Sequence, residues 1–516
     1  MVRERSSRLC NRPLRGRSSL ISANLYELQS PVSIRLFSLD TPLKSGSMPS
    51  MTSVPVKLPL RQVVAYGSVG IPFGAVGLPM AVFIAPFYAE QMGLGTALVG
   101  IIFMVLRFWD LFSDPVMGWL VDTRPSRFGK VKHWLLIAVP ILLPAVWFLY
   151  NPIGPPVSPL FLAIILFIFY VGTTMIVTPH QAWAPSIARN YDERSRLFMW
   201  RELFTISTML VMLALPAILS RAGDVSFAQQ ISIMGWFLII ALPVTVGAAV
   251  WLVPDPLPEA DAPRASFHPK AILEALKQQT LWRLLVTEIC IGIAIAGTAG
   301  TFLFAAQWGF GVGHGMASLI LMSHFIAGFA AMPVWVAISK RSEKYIAMRS
   351  VCLWSAVTYI AYMPLAIMGG GTVSLFIAAV ISGVGYGSPF ILVRSMMADL
   401  VEAEEARGGG NRAGLFYSLM SGAYKTGASF AIGIPYVLLG VLVGFNPATD
   451  NSPETVRGLM LVFVGVPVVS YALAALLIWR YPITRAEQVK AAEAINAGGQ
   501  ANLESLHPPV NEGDAP

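Results

Sequence analysis

Arg107-Phe108-Trp109-Asp110-Leu111-Phe112-Ser113-Asp114-Pro115-Val116-Met117-Gly118-Trp119-Leu120-Val121-Asp122 lies in an apolar run spanning residues 97–121. That run is long enough to cross a bilayer as a helix. Three charges fall inside it. Arg107, Asp110 and Asp114 are spaced i, i+3 and i+7, which puts them on one helical face within about 60° of arc. Each charge near mid-membrane costs roughly 2.5–3.5 kcal/mol on insertion scales, so a packing role is a poor explanation. One arginine offsets one aspartate, and the surplus negative charge suits a small cation or a proton. The competing reading is a structural ion-pair network, but apolar side chains would stabilise a bundle as well or better.

Composition agrees with a membrane environment. The chain has 516 residues, 55% of them hydrophobic and only 12% charged, whereas soluble domains carry about 25% charge. Twelve apolar runs are legible, at 62–88, 96–121, 133–150, 158–182, 198–220, 230–253, 282–307, 316–338, 346–368, 373–398, 412–443 and 457–480. Each is long enough to span as a helix, and none alternates as a barrel strand would. The expected fold is an all-α membrane protein of twelve transmembrane helices in two six-helix pseudo-repeats. The net charge of +8 sits in short loops between apolar runs, which excludes nucleic-acid binding. Cys10, Cys290 and Cys352 imply no disulfide framework.

The loops set an expected orientation. Arg124, Arg127, Lys130 and Lys132 fall between runs 2 and 3, Arg189, Arg194 and Arg196 between runs 4 and 5, and Lys340, Arg341 and Lys344 between runs 8 and 9. Segments 88–96, 150–158, 307–316 and 368–373 hold no Lys or Arg. The positive-inside rule makes the basic loops and both termini cytoplasmic. The expected domains are a disordered basic tail over 1–60, a six-helix bundle over 61–253, a cytoplasmic central loop over 254–281 with a surface helix at 269–279, a second bundle over 282–480, and a disordered tail over 481–516. A later start at Met48 or Met51 and a transit peptide are alternative readings of the basic tail.

Two six-helix halves in parallel repeat match the major facilitator architecture. Gly118-x-x-x-Asp122, followed by Arg127-x-Gly129-Lys130, is similar to the loop 2–3 motif of that superfamily. The longer string Arg107-x-x-Asp110-x-x-x-Asp114-Pro115-x-Met117-Gly118 with Ser126-Arg127-Phe128-Gly129-Lys130 resembles the melibiose-permease family, the glycoside–pentoside–hexuronide:cation symporters. Pro179 and Pro185, Glu193-Arg194, Met397-Ala398-Asp399-Leu400-Val401, and Lys425 with Gly427 agree with the same family. The resemblance implies a cation site, for sodium or a proton, at Asp110 and Asp114 with Thr174. Ser113 stands there where an asparagine is usual. It also implies that Arg201 and Lys425 hold the sugar and that Arg107 and Lys425 join a charge network. Gly118, Asp122, Arg127 and Gly129 would form the gating loop. Where sugar-carrying members place acids in helices 1 and 4, this chain has Gly74 and Val177.

Other polar residues in apolar runs are candidates on their own chemistry. His180 and Gln181 fall where the family lines its cavity. Arg394 must face the bundle, to hold an anionic substrate group or to pair with Glu402 or Asp399. Glu288 reads as a second proton carrier, or as a snorkelling residue or a partner of Arg283, and His324 as a packing histidine, a pH sensor or a substrate contact. Neither a nucleophile elbow nor a His-Glu-x-x-His motif nor a P-loop occurs, so no enzyme and no ATP motor is expected.

The function expected is cation-coupled symport of a sugar, glycoside or related solute across a bacterial plasma membrane, by a monomer without a cofactor. Its partners would be a small-molecule substrate, the coupling cation and the bilayer. Transport of an amphipathic lipid or other non-sugar solute on the same fold, and a non-transporting membrane sensor, are the alternatives.

Overall fold

The structure is a computed structural model that describes residues 57–188, 191–255, 274, 276–406, 413–490 and 493. Twelve helices among these residues are long and apolar enough to cross a membrane: α1 Leu60–Glu90, α2 Gly95–Thr123, α3 Lys132–Tyr150, α4 Pro159–Ile187, α5 Asp192–Ala222, α6 Phe227–Leu252, α7 Gln279–Gly309, α8 His314–Arg341, α9 Lys344–Ile367, α10 Thr372–Ala406, α11 Gly414–Val443 and α12 Pro453–Ile478. Each contains one of the apolar runs or most of it. The twelve-helix expectation holds, and the helices overrun the apolar stretches because polar end residues continue the hydrogen-bond ladder into the loops. The expected basic tail, most of the central loop with its surface helix, and the far C-terminal tail lie outside the described residues.

At both ends the packed chain extends a few residues into the segments expected to be tails. Before α1, Leu58 donates its amide to Glu193 Oε2 (3.2 Å), and its carbonyl accepts from Arg196 of α5 (3.2 Å). After α12, Tyr481 and Ile483 are buried and residues 485–490 are helical. The Arg485 amide donates to Glu343 Oε2 (2.8 Å), and its guanidinium donates to the Lys340 carbonyl (3.2 Å). Segment 481–490 is therefore ordered. Two apolar side chains draw it back against the bundle, an effect that the polar composition of the whole tail hid.

Helix irregularities stand where function needs them. α1 contains a π-helical turn at Met80–Ile84, and α7 and α11 end in π-helical turns at Ala305–Gly309 and Leu438–Val443. Such wide turns are frequent at functional sites. α10 breaks between its helical segments Thr372–Gly383 and Ser388–Ala406. The break frees carbonyls inside the membrane, and two indoles satisfy them: Trp354 donates to Ile381 O (3.1 Å) and Trp335 to Val384 O (2.9 Å).

Packing within and between the halves relies on close backbone approach. On α1, Gly67, Gly70 and Gly74 lie against Trp200, Arg201 and Thr205 of α5, so a side chain at Gly74 would run into the Thr205 carbonyl. The two halves meet at the end that carries the loops without Lys or Arg. There α2 lies on α11, with Gly100 facing Tyr436, Gly433 facing Met104 and Gly440 facing Ala97. Gly315 of α8 sits on Ser220 of α5, and Glu90 Oε2 lies 3.8 Å from His314 Nε2.

This seam makes a testable gate. A Cβ at Gly100 would stand 2.6 Å from Tyr436 Cβ and 3.2 Å from the Gly433 carbonyl. Gly100→Leu overpacks the contact by about 1–3 kcal/mol, shifting the balance toward the state open at this end by roughly five- to 150-fold. Thiol labelling of a cysteine placed at Ser429, from the side of the short loops, should rise accordingly. Unchanged labelling would show that the seam is not a gate.

Candidate functional site

Between the halves lies a cavity of about 420 Å³. The face of α2 predicted to carry charge lines it, with Arg107, Asp110 and Asp114 together. Opposite stand Tyr386, in the α10 break, and Tyr424, Lys425 and Ser429 of α11. α4 adds Tyr170, Thr173, Thr174 and Val177.

The charges are paired. Arg107 Nη1 lies 3.1 Å from Asp110 Oδ2, and its guanidinium also packs over the Tyr170 ring at 5.3 Å. Lys425 reaches across from the C-terminal half and pairs with Asp114. Lys425 thus supplies the second positive charge that the α2 face lacks, and four formal charges sum to zero. Asp110 keeps one oxygen in reserve: Oδ1 is buried and has no hydrogen-bond partner among the described residues. Thr174 lines the cavity, and its Oγ1 lies 3.4 Å from Ser113 Oγ, whose residue is outside the lining. Two carboxylates and two hydroxyls are hard oxygen donors, the chemistry that a hard cation prefers.

The matches carry the identification further. A family model described as "MFS/sugar transport protein" matches residues 65–485. The chain belongs to this family of transporters. Among the relatives of this MFS/sugar transport protein is the isoprimeverose transporter of Lactiplantibacillus pentosus, 24% identical over 81% of this chain and 87% of the other. The glucuronide carrier protein homolog of Escherichia coli (strain K12) is 24% identical over 83% of this chain and 93% of that one. The crystal structure of a nucleoside transporter superposes with a TM-score of 0.59 at 15% identity, covering 82% and 100% of the two chains, and so shares the fold. The expected likeness to the glycoside–pentoside–hexuronide symporters stands, and the chain is a transporter rather than an enzyme.

Several candidate substrate residues lie elsewhere. His180 is fully buried: its ring stacks on Tyr66 with centroids 4.1 Å apart, and Nε2 meets the Tyr66 carbonyl at 3.0 Å. It fastens α4 to α1 instead of lining the cavity. Gln181 is exposed and outside the cavity lining. Arg201 is also outside it, next to Glu202 (3.7 Å) and over the Phe198 ring. The Arg201 backbone lies against Gly67 and Gly70 of α1 there. Arg394 pairs with neither Glu402 nor Asp399. Its partner is Glu288 of α7 at 3.4 Å, and Asp399 is taken by Lys344 at 2.6 Å. Arg283 donates instead to the Arg480 carbonyl (3.1 Å). His324 is a packing residue, with Nδ1 3.0 Å from the Ala379 carbonyl.

The loop motif has a mechanical meaning. Asp122 pairs with Lys130 at 2.7 Å. Ser126 and Gly129 exchange backbone hydrogen bonds of 3.0 Å around Arg127, whose guanidinium covers the Phe128 ring. Gly129 has φ +116°, and a Cβ there would collide with Asp255. That space lets Asp255 accept from the amides of Val131 (2.7 Å) and Lys132 (3.0 Å), capping α3. The segment after α6 is thereby pinned to the loop after α2. Gly118 faces open space.

The site residues that the sequence did not single out are the tyrosines at 170, 386 and 424. A tyrosine in an apolar run carries no mark of which helix it will face, so no sequence signal was available. The Glu288–Arg394 pair went unseen for the same reason. Glu288 has no exposed surface, whereas the arginine side chain keeps 36% of its exposure. Removing the arginine strands a buried carboxylate, so Arg394→Met should destabilise the protein by about 2 kcal/mol, less than the 3–5 of a fully buried pair. Arg394→Met with Glu288→Met should recover most of that. Equal unfolding midpoints in detergent for parent and single variant would refute the pairing.

Proposed function

We propose that the chain is a cation-coupled symporter for a glycoside or related sugar, working by alternating access, with the cation held by Asp110 and Asp114. The supporting observation is the Asp110 carboxylate: one oxygen is neutralised by Arg107, and the other is buried without a hydrogen-bond partner among the described residues, in a residue that lines the cavity together with Asp114 and Thr174. The names of the sugar-carrying relatives support the substrate class. Sodium and a proton both fit the site.

Coupling follows from competition for Asp114. An arriving cation takes the place of the Lys425 ammonium, which turns to oxygens of the substrate. Breaking that pair also loosens a tie between α2 and α11, two helices that belong to different halves. The ion shifts the conformational balance only through its different affinity for the two states. Asp122, Lys130 and the Gly129 turn act at the far end of α2 as the hinge loop. A monomer in a bacterial plasma membrane, with basic loops and termini cytoplasmic, completes the reading. Bundles over 61–253 and 282–480, joined by a central loop over 254–281, are its moving parts.

A second reading keeps the fold and carries an amphipathic non-sugar solute. Val177 favours it, an apolar side chain in the cavity where sugar-carrying relatives are expected to hold an acid.

Uptake into vesicles tests the cation site, with sodium and proton gradients imposed separately. Asp110→Asn and Asp114→Asn should each lower accumulation at least tenfold while the protein still inserts, and Lys425→Ala should lose uptake. If both Asn variants accumulate substrate like the parent, the cation is bound elsewhere. The orientation has its own check. A cysteine at Gly154 should react with an impermeant external thiol reagent in intact cells, and one at Arg127 should not.

A further inference from the structure

Glu288 has no exposed surface. It stands about 14 Å into α7 from Gln279, at 1.5 Å per residue. Both of its carboxylate oxygens are buried, and neither has a hydrogen-bond partner among the described residues. The neighbouring Thr287 hydroxyl donates to the Arg283 carbonyl instead (2.7 Å). Among the described residues the charge that acts on Glu288 is Arg394 of α10, with Nη1 3.4 Å from Oε1. Buried carboxylates are ordinarily hydrogen-bonded, so this one calls for an explanation. The two partners differ in freedom. The arginine side chain keeps 36% of its exposure, lies over the Phe390 ring and donates to the Phe390 carbonyl (3.2 Å). Arg394 has a way out to water, and Glu288 has none. Phe390 meets the Tyr424 ring at 5.3 Å, and Tyr424 lines the cavity next to Lys425. Beside them α7 and α11 touch at backbone level, since a Cβ at Gly427 would stand 2.5 Å from the Ile289 carbonyl. The other titratable groups around the pair are Tyr417 and Tyr424 of α11. From the N-terminal half, Arg107 of α2 and Glu202 of α5 act on Tyr424.

We infer that Glu288 is a proton-binding site in the C-terminal half, separate from Asp110 and Asp114, and that a proton and Arg394 alternate as its counter-charge. A lone carboxylate cannot stay uncompensated at this depth. When the guanidinium swings out, a proton from water bonds to one Glu288 oxygen and the side chain becomes a neutral carboxylic acid. When that proton returns to water, Arg394 closes on the carboxylate again. With no hydrogen bond to break, both oxygens are open to the proton. A metal cation does not suit the place, because it needs several oxygen ligands and would stand against the arginine charge. The exchange takes place next to the stretch of α11 that carries Lys425, the residue pairing with Asp114 of the other half.

Infrared difference spectra of the full chain in lipid nanodiscs test this, with the proton itself as the ligand. They are taken between about pH 5 and pH 9, where exposed carboxyls stay largely ionised. The C=O stretch of a protonated carboxyl should appear on acidification of the parent and be lost in Glu288→Gln. It should persist in Asp110→Asn and Asp114→Asn, which reads the two sites apart. Arg394→Met removes the alternative counter-charge, so the band should remain at the alkaline end, where the parent has lost it. Arg394→Lys should restore the parent's dependence. Glu288→Asp keeps a carboxyl but moves its band, and it serves if the amide variant does not insert. A parent without such a band overturns the site, as does a band of equal size in parent and Glu288→Gln. The same pH dependence in Arg394→Met and parent overturns the exchange. The transported solute takes no part in these spectra, so their failure leaves the Asp110 and Asp114 reading to its own uptake test.

Discussion

A charge inside a membrane must be neutralised where it stands, and that constraint organises this molecule. Two aspartates on α2 are balanced by two cations of different origin. Arg107 comes from the same helix, one turn away. Lys425 comes from α11, in the other half of the chain. The first pair exists as soon as α2 is helical. The second exists only when the halves are together, so the electrostatics of the cavity and the arrangement of the halves are one equilibrium. A carrier needs such a link, because an ion that did not alter the contact between halves would bind without driving anything.

Around this centre, glycine controls where the halves touch. The α2–α11 seam closes over Gly100, Gly433 and Gly440 at one end of the cavity. At the other end of α2, the Gly129 turn and Asp255 tie the helix to the start of α3 and to the chain leaving α6. α2 is thus held at both ends by backbone-level contacts while its middle carries the charges. Wide π turns in α1, α7 and α11 and the break in α10 lie in helices that border the cavity. Side chains from neighbouring helices satisfy carbonyls released at the α10 break, which lets a broken helix stand in an apolar medium.

The cavity itself combines two chemistries. Charged and hydroxyl-bearing side chains line it together with apolar ones. Polar groups give direction and selectivity, and apolar surface gives affinity that depends on shape. This chain places Val177, an apolar side chain, in that lining. It lies within a family whose members carry isoprimeverose and glucuronides by name.

What the sequence determined by itself is whatever depends on order along one helix. Twelve spans follow from the length and apolarity of twelve runs, and the shared face of Arg107, Asp110 and Asp114 follows from 3.6 residues per turn. What only the tertiary structure decided is whatever depends on the rotation of one helix against another. The family resemblance put His180 at the cavity, yet its ring stacks on Tyr66. Arg394 chose Glu288, more than one hundred residues away, over the acids of its own helix. Tyr170, Tyr386 and Tyr424 became lining of the cavity. A helix in lipid is apolar on nearly every side, so its sequence carries little record of which side meets a partner. Packing supplies that choice, through close approach at small residues and the need to pair every buried charge.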